Sequence, residues 1–134
     1  IKTFENLNIR NLKKLSEIFD DDIIFKDPFN TIKGKQYVIK IFEKMFHQLD
    51  KPKFKVSDYA FSKSKKNIIY LRWELSAKFK NSSEFLNIEG MSEVGFNNLG
   101  KVISHIDYWD SLSQLLIKLP KVGFIINFFK QKFL

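Results

Sequence analysis

Two short stretches carry side chains able to do acid–base chemistry. In FKDPFN, residues 25–30, Asp27 sits between Phe25 and Phe29 and immediately ahead of Pro28. An aspartate there either holds a turn through nearby backbone N–H groups or stands at the mouth of an apolar pocket. In a pocket, apolar walls disfavour its charge, which leaves it usable as acid and base near neutrality. In VISHIDYWD, residues 102–110, His105 and Asp107 fall two apart. On a strand that spacing puts both on one face, roughly 6.5–7 Å apart, so they could flank one ligand. His105 would then donate to a substrate oxygen while Asp107 orients or charges it. The alternative is a core histidine bonded to its neighbour.

Nothing in the sequence assembles a metal centre. There is no cysteine, His47 falls on a predicted helix, and no third ligand stands at recognisable spacing. The run DDD at 20–22 reads as a solvated turn, because three consecutive residues cannot all face one ion. The expectation is a site without metal or cofactor.

These side chains need elements to position them. Phe4, Leu7, Leu12, Leu15, Ile18 and Phe19 follow helical spacing across residues 3–19, with a break near Asn8–Asn11. IIFKDP reads as a short strand stopped by Pro28, which lacks a ladder donor. After Gly34, residues Val38, Ile41, Phe42, Met45, Phe46 and Leu49 form an apolar helical stripe. Beyond Pro52 the period falls to two. In IIYLRWELSAKF, Ile69, Leu71, Trp73, Leu75 and Ala77 alternate with Tyr70, Arg72, Glu74 and Ser76, which predicts one buried face. FLNIEGMSEVGF alternates likewise, with Gly90 near Ser92 allowing the sheet to bend. NNLG at 97–100 is expected to turn on positive φ angles of asparagine and glycine. KVISHIDYWD is the last strand. Helices, then a strand, a helix and an antiparallel run describe an α+β domain with helices on one face of a curved sheet. Trp73 and Trp109 are core residues, pocket walls, or both.

With 134 residues, 44% of them hydrophobic and 15 of them phenylalanine, the chain suits one domain with a thick core or a pocket wall. The lack of cysteine excludes disulfides and fits a cytoplasmic protein. Net charge is +8, yet Arg10 and Arg72 are the only arginines among 23 basic residues. A reader of guanine edges and phosphates would carry more, so no nucleic-acid partner is expected. The charge serves solvation, with weak attraction to anionic surfaces. No apolar run approaches the ~18 residues of a spanning helix. The opening IKTFENLN, without methionine, fits a processed or trimmed start.

FDDDIIFKDPFNTIKGKQYVIKIFEKMF, a strand tryptophan, and then IEGMSEVGFNNLGKVISHIDYWD together resemble the nuclear transport factor 2-like superfamily. Within it the chain is similar to the SnoaL-like polyketide cyclase and ketosteroid isomerase branch, from about Phe4 to Asp110. The resemblance implies a cone: a strongly curved, mostly antiparallel, cystatin-like sheet wrapped around N-terminal helices, with a pocket at its open end. It assigns residues 1–112 to this domain. It also turns Ile103, His105, Asp107 and Trp109 inward. Asp27 matches the aspartate that shuttles the proton in ketosteroid isomerases. Their two oxyanion donors have no match, since the helix tyrosine falls at Thr3 or Phe4 and the strand aspartate at Ser92. That departure argues against steroid isomerisation, because oxyanion donors are usually the largest catalytic contribution.

The implied function is a small-molecule pocket, with cofactor-free proton transfer of isomerase, cyclase or dehydratase type on a hydrophobic carbonyl compound. Asp27, His105 and Asp107 would do the chemistry, and Phe25, Phe29, Trp73, Ser92 and Trp109 would contact the substrate. The rival readings are a non-catalytic lipid or hydrophobic-ligand binder and a protein-interaction module. The resemblance further implies a homodimer through the convex face, with Tyr70 and Met91 as candidates.

Residues 113–134 form an amphipathic tail beyond that resemblance. SLSQLLIKL predicts a helix over 112–119 that ends before Pro120, and KVGFIINFFKQKFL a second apolar helix over 122–134. So apolar a helix is expected to pack on the domain or at a dimer contact. The alternative is peripheral membrane contact through residues 121–134, with lysines toward anionic headgroups.

Overall fold

Asparagines divide the N-terminal apolar pattern into two helices, α1 (Lys2–Glu5) and α2 (Lys13–Ile18). Their side chains take over the backbone groups that a continuous helix would pair. Asn11 Oδ1 accepts from the Asn8 N–H at 2.7 Å, and Asn11 Nδ2 donates to the Asn6 carbonyl at 2.8 Å. The computed structural model describes residues 1–80, 84–118 and 122. The remaining elements are β1 (Phe19–Lys26), β2 (Thr31–Lys33), α3 (Lys35–Gln48), β3 (Leu49–Phe61), β4 (Ile68–Phe79), β5 (Phe85–Phe96), β6 (Val102–Trp109) and α4 (Ser111–Gln114). A single 3-10 turn, Leu116–Lys118, follows α4.

The strands make one curved open sheet in the order β2-β1-β6-β5-β4-β3, antiparallel except where β1 runs beside β6. The architecture is the α+β one expected. Arg72 and Glu74 lie exposed on the convex side of β4, while Leu71, Leu75 and Ala77 are buried on the concave side. That register fixes which residues of β5 and β6 can face the helices. Helix α3 starts at Gly34, whose φ of +102° suits glycine, and buries Val38, Phe42 and Phe46.

Four details depart from the sequence expectation. The aspartates at 20–22 are not a turn but part of β1, in a bulge where four β1 residues (20–23) oppose one on β6. Extended backbone is tolerated there because each carboxylate finds its own partner: Asn97 for Asp20, Lys35 for Asp21 and Lys33 for Asp22. Ile103 is exposed rather than inward, and Val102 is buried instead. A register shift between Gly95 and Phe96 reverses the alternation at that point. The turn at 97–100 has a positive φ at Gly100 alone. Asn97 contributes through its side chain, whose Oδ1 accepts the N–H groups of Leu99 and Lys101, each at 2.9 Å. Finally, β3 begins at Leu49, ahead of Pro52. The proline fits because β3 is an edge strand and the ladder is irregular between Asp50 and Lys53.

The predicted helix over 112–119 is instead α4 followed by the 3-10 turn. Gln114 explains the interruption: its amide accepts from the Glu89 N–H at 2.6 Å and donates to the Glu89 carbonyl at 3.1 Å, which ties it to β5. The second apolar helix expected over 122–134, with its capping or membrane role, lies outside the described residues apart from Val122. Among the described residues no helix is long and apolar enough to cross a membrane.

The interior is divided. One apolar cluster gathers Leu15, Phe19, Ile23, Val38 and Phe42; a second gathers Leu49, Leu75, Ala77, Leu86 and Ile88. Met45 and Trp73 pack against both.

Candidate functional site

Residues from both clusters line a cavity of about 410 Å3, within the size range of small-molecule sites. Strand register brings its polar residues together. Parallel pairing of β1 with β6 sets Phe25 beside His105, and antiparallel pairing of β5 with β6 sets Ser92 opposite Asp107. Pairing of β4 with β5 sets Trp73 opposite Gly90.

A chain of hydrogen bonds follows from that register. The Trp73 indole Nε1–H donates to Ser92 Oγ at 2.7 Å, and the Ser92 hydroxyl donates to Asp107 Oδ1 at 2.5 Å. His105 Nε2 meets the same Oδ1 at 2.8 Å. A carboxylate can only accept, so Nε2 carries a proton, and in the neutral ring Nδ1 presents a lone pair. That Nδ1 is buried without a partner. The imidazole is held between rings, with centroids 5.3 Å from Phe4 and 5.6 Å from Phe25. Ser92 and His105 are the buried polar residues among those described, and Asp107 is half-buried. The network therefore ends on one carboxylate oxygen, and Asp107 Oδ2 has no partner among the described residues.

Asp27 lines the same cavity but belongs to a different network. Its Oδ1 accepts the Phe29 N–H at 2.7 Å, the Asn30 N–H at 2.6 Å and the Asn30 side-chain amide at 3.0 Å. Its own N–H donates to the Asn30 carbonyl. These bonds shape the turn from β1 into β2 around Pro28. Among the described residues no hydrogen bond joins Asp27 to His105 or Asp107. Asp27 thus does the turn residue's work at the cavity lining, and its Oδ2 accepts one bond from Asn30.

All eight residues singled out from the sequence line this cavity: Phe25, Asp27, Phe29, Trp73, Ser92, His105, Asp107 and Trp109. Trp109 meets Phe29 edge-on, with centroids 5.7 Å apart, and Phe54 meets Trp73 in the same way at 6.5 Å. Sequence reasoning missed Phe54 and Phe79 on β3 and β4, Lys44 and Gln48 on α3, and Leu115 beyond α4. Lys44 and Gln48 lie one turn apart beside the apolar stripe, the spacing that would have flagged them as its polar border. Gly90 was read as a bend in the sheet. A Cβ there would fall 2.5 Å from the Trp73 ring, so the glycine makes room for the indole. No group of three metal-ligating side chains occurs among the described residues.

A family model described as an uncharacterized conserved protein (DUF2358) matches residues 3–105. The chain belongs to that family. No curated protein matches it. Among solved structures, an NTF2-like protein of unknown function from Exiguobacterium sp. 255-15 superposes with a TM-score of 0.71 at 16% identity, covering 81% of this chain and 92% of that one. A hypothetical protein with a ketosteroid isomerase-like fold from Catenulispora acidiphila DSM 44928, solved in complex with trimethylamine, gives 0.72 at 13% identity, covering 90% and 86%. A computationally designed 17-OHP binder gives 0.67 at 16% identity, covering 84% and 88%. This DUF2358 chain therefore has the nuclear transport factor 2-like fold. At such identities the likeness reaches the fold alone, and the chemistry has to come from the side chains in the cavity.

Proposed function

We propose that this protein binds a small hydrophobic ligand in the cavity between its two apolar clusters, with Asp107 as the polar contact. The observation that carries this reading is the network Trp73–Ser92–Asp107–His105, which leaves one carboxylate oxygen without a partner in a mainly apolar cavity. Ser92 and His105 orient this carboxylate through one oxygen, and the other is left for a polar contact to a ligand. The designed neighbour takes 17-OHP, which supports the capacity of this fold for such molecules. Native mass spectrometry of the protein from its host, with dissociation under denaturing conditions, tests the reading. A bound molecule of a few hundred daltons is expected.

Cofactor-free proton transfer beside a carbonyl is the second reading. In it Asp107 is the base, His105 and Ser92 orient it, and Asp27 is a second carboxylate nearer the surface. Phe25, Phe29, Trp73 and Trp109 are the walls. It is favoured by the apolar setting of the carboxylates and disfavoured by the hydrogen-bond inventory. The donors nearest Asp107 are engaged within the protein, so a developing oxyanion there would lack the preorganised partners that normally dominate such catalysis. Deuterium exchange into an α-methylene ketone, compared between the wild type and Asp107→Asn, tests it.

For assembly, we propose a homodimer through the convex face, where Met91 and Tyr108 stand opposite one another and exposed. Sedimentation equilibrium tests this, with a monomer at tens of micromolar (a rough working range) as the contrary result.

A further inference from the structure

Donors and acceptors are unevenly divided within the cavity. Deep in it, the Trp73 N–H, the Ser92 O–H and the His105 Nε2–H are all engaged inside the protein. What remains without a partner there, among the described residues, is Asp107 Oδ2 and the buried His105 Nδ1, both acceptors when the ring is neutral. The side chains of Lys44 and Gln48 also lack partners among the described residues, but both are exposed. The Trp109 indole N–H lacks one too, and its ring stands beside exposed Phe29.

A ligand that contacts Asp107 must therefore supply the hydrogen. A ketone, ester or carboxylate cannot do so, whereas an alcohol or a protonated amine can. Charge decides between those two. The cavity that Asp107 lines is also lined by the aromatic rings of Phe25, Phe29, Trp73 and Trp109. Ring faces carry negative electrostatic potential and attract cations. A cation also compensates a carboxylate removed from water, which a hydroxyl does only in part. The net charge of +8 opposes a cation at long range, but that repulsion is screened within about 10 Å at 0.1 M salt.

We infer that the cavity selects an apolar amine in its protonated form, with its hydrocarbon part among the aromatic rings and its ammonium group on Asp107 Oδ2. This rests on the reading of the cavity as a ligand pocket.

Four probes of similar chain length separate the possibilities: octylamine, octanol, methyl hexyl ketone and octanoate. Each is titrated at neutral pH against the full chain, with binding followed calorimetrically and by the fluorescence of Trp73 and Trp109. Octylamine should bind about tenfold or more tighter than the ketone, from one charge-assisted hydrogen bond, with octanol between them and octanoate weakest. Asp107→Asn should abolish the preference for octylamine over the ketone. If that variant fails to fold, as judged by circular dichroism, the wild-type ranking alone decides. Equal affinity for amine and ketone, or tightest binding of octanoate, would overturn the inference while the pocket reading stands. Failure of all four probes, the uncharged ketone included, would overturn the pocket reading and this inference with it.

Discussion

Gly90 of β5 lies directly beneath the indole of Trp73 on β4. A Cβ on Gly90 would stand 2.5 Å from Cζ2 and 2.7 Å from Cη2 of that ring, and 3.0 Å from Cβ of Trp109. The missing side chain lets the indole rest against β5 and direct its N–H to Ser92. Gly90→Ala must push the ring away and break that bond. We expect a loss of about 1–3 kcal/mol in chemical denaturation, with a changed tryptophan emission in the folded state. Unchanged stability and emission would mean that the ring is not held there.

Ser92 is both acceptor from Trp73 and donor to Asp107. Ser92→Ala should cost about 1–3 kcal/mol, because it leaves the indole N–H without its acceptor. Ser92→Thr keeps the hydroxyl, and recovery of ligand binding but not of full stability would separate the bond from the packing.

Asp27 separates two roles by two substitutions. Asp27→Ala removes the acceptor of the Phe29 and Asn30 N–H groups and should cost roughly 1–2 kcal/mol. Asp27→Asn keeps an oxygen for those donors and should retain most of the stability. A proton-transfer activity that survives Asp27→Asn but not Asp107→Asn would assign the base to Asp107.

Acid should reveal the ion pair between β1 and the start of α3. Lys35, by its hydrogen bond first and its charge second, holds the Asp21 carboxyl below its ordinary value of 3.8. A depressed carboxyl stabilises the folded state fully above its unfolded value, and that contribution fades as the pH falls through the folded one. In low salt, the wild type should lose this increment below pH 3.8, while Asp21→Asn and Lys35→Met lack it throughout. Asp21 is exposed and Lys35 only half-buried, so the effect is small and salt-sensitive. Identical acid limbs in wild type and variants would rule out the coupling.

What the sequence made legible was set by period. Alternation in β4 pointed Leu71, Trp73 and Leu75 inward, whereas on β6, where both faces are mixed, it took the family resemblance to turn His105 and Asp107 to that side. Bulges were not legible, because one extra residue leaves the composition unchanged while it reverses a face. Ile103 and the aspartates at 20–22 were misread for that reason. The hydrogen-bond partners of Asp27 were equally hidden: turn geometry decides whether Asp-Pro-Phe-Asn folds back on its own carboxylate. Lys44 and Gln48 were legible as the polar border of the helical stripe, but Phe54 reaches the cavity only through the way β3 lies in the sheet, which no local pattern encodes.

The division of the interior into two apolar clusters joined by Met45 and Trp73 bears on how long the protein survives in a cell. On the side that faces the cavity each cluster lacks packed neighbours from the protein, and the second cluster is the smaller. An occupant would join the halves into one cooperative unit. At a concentration a hundredfold above its dissociation constant it would add about 2.7 kcal/mol, a large fraction of a typical domain's stability. Degradation samples the unfolded fraction, so abundance of this chain should rise and fall with the supply of whatever fills it.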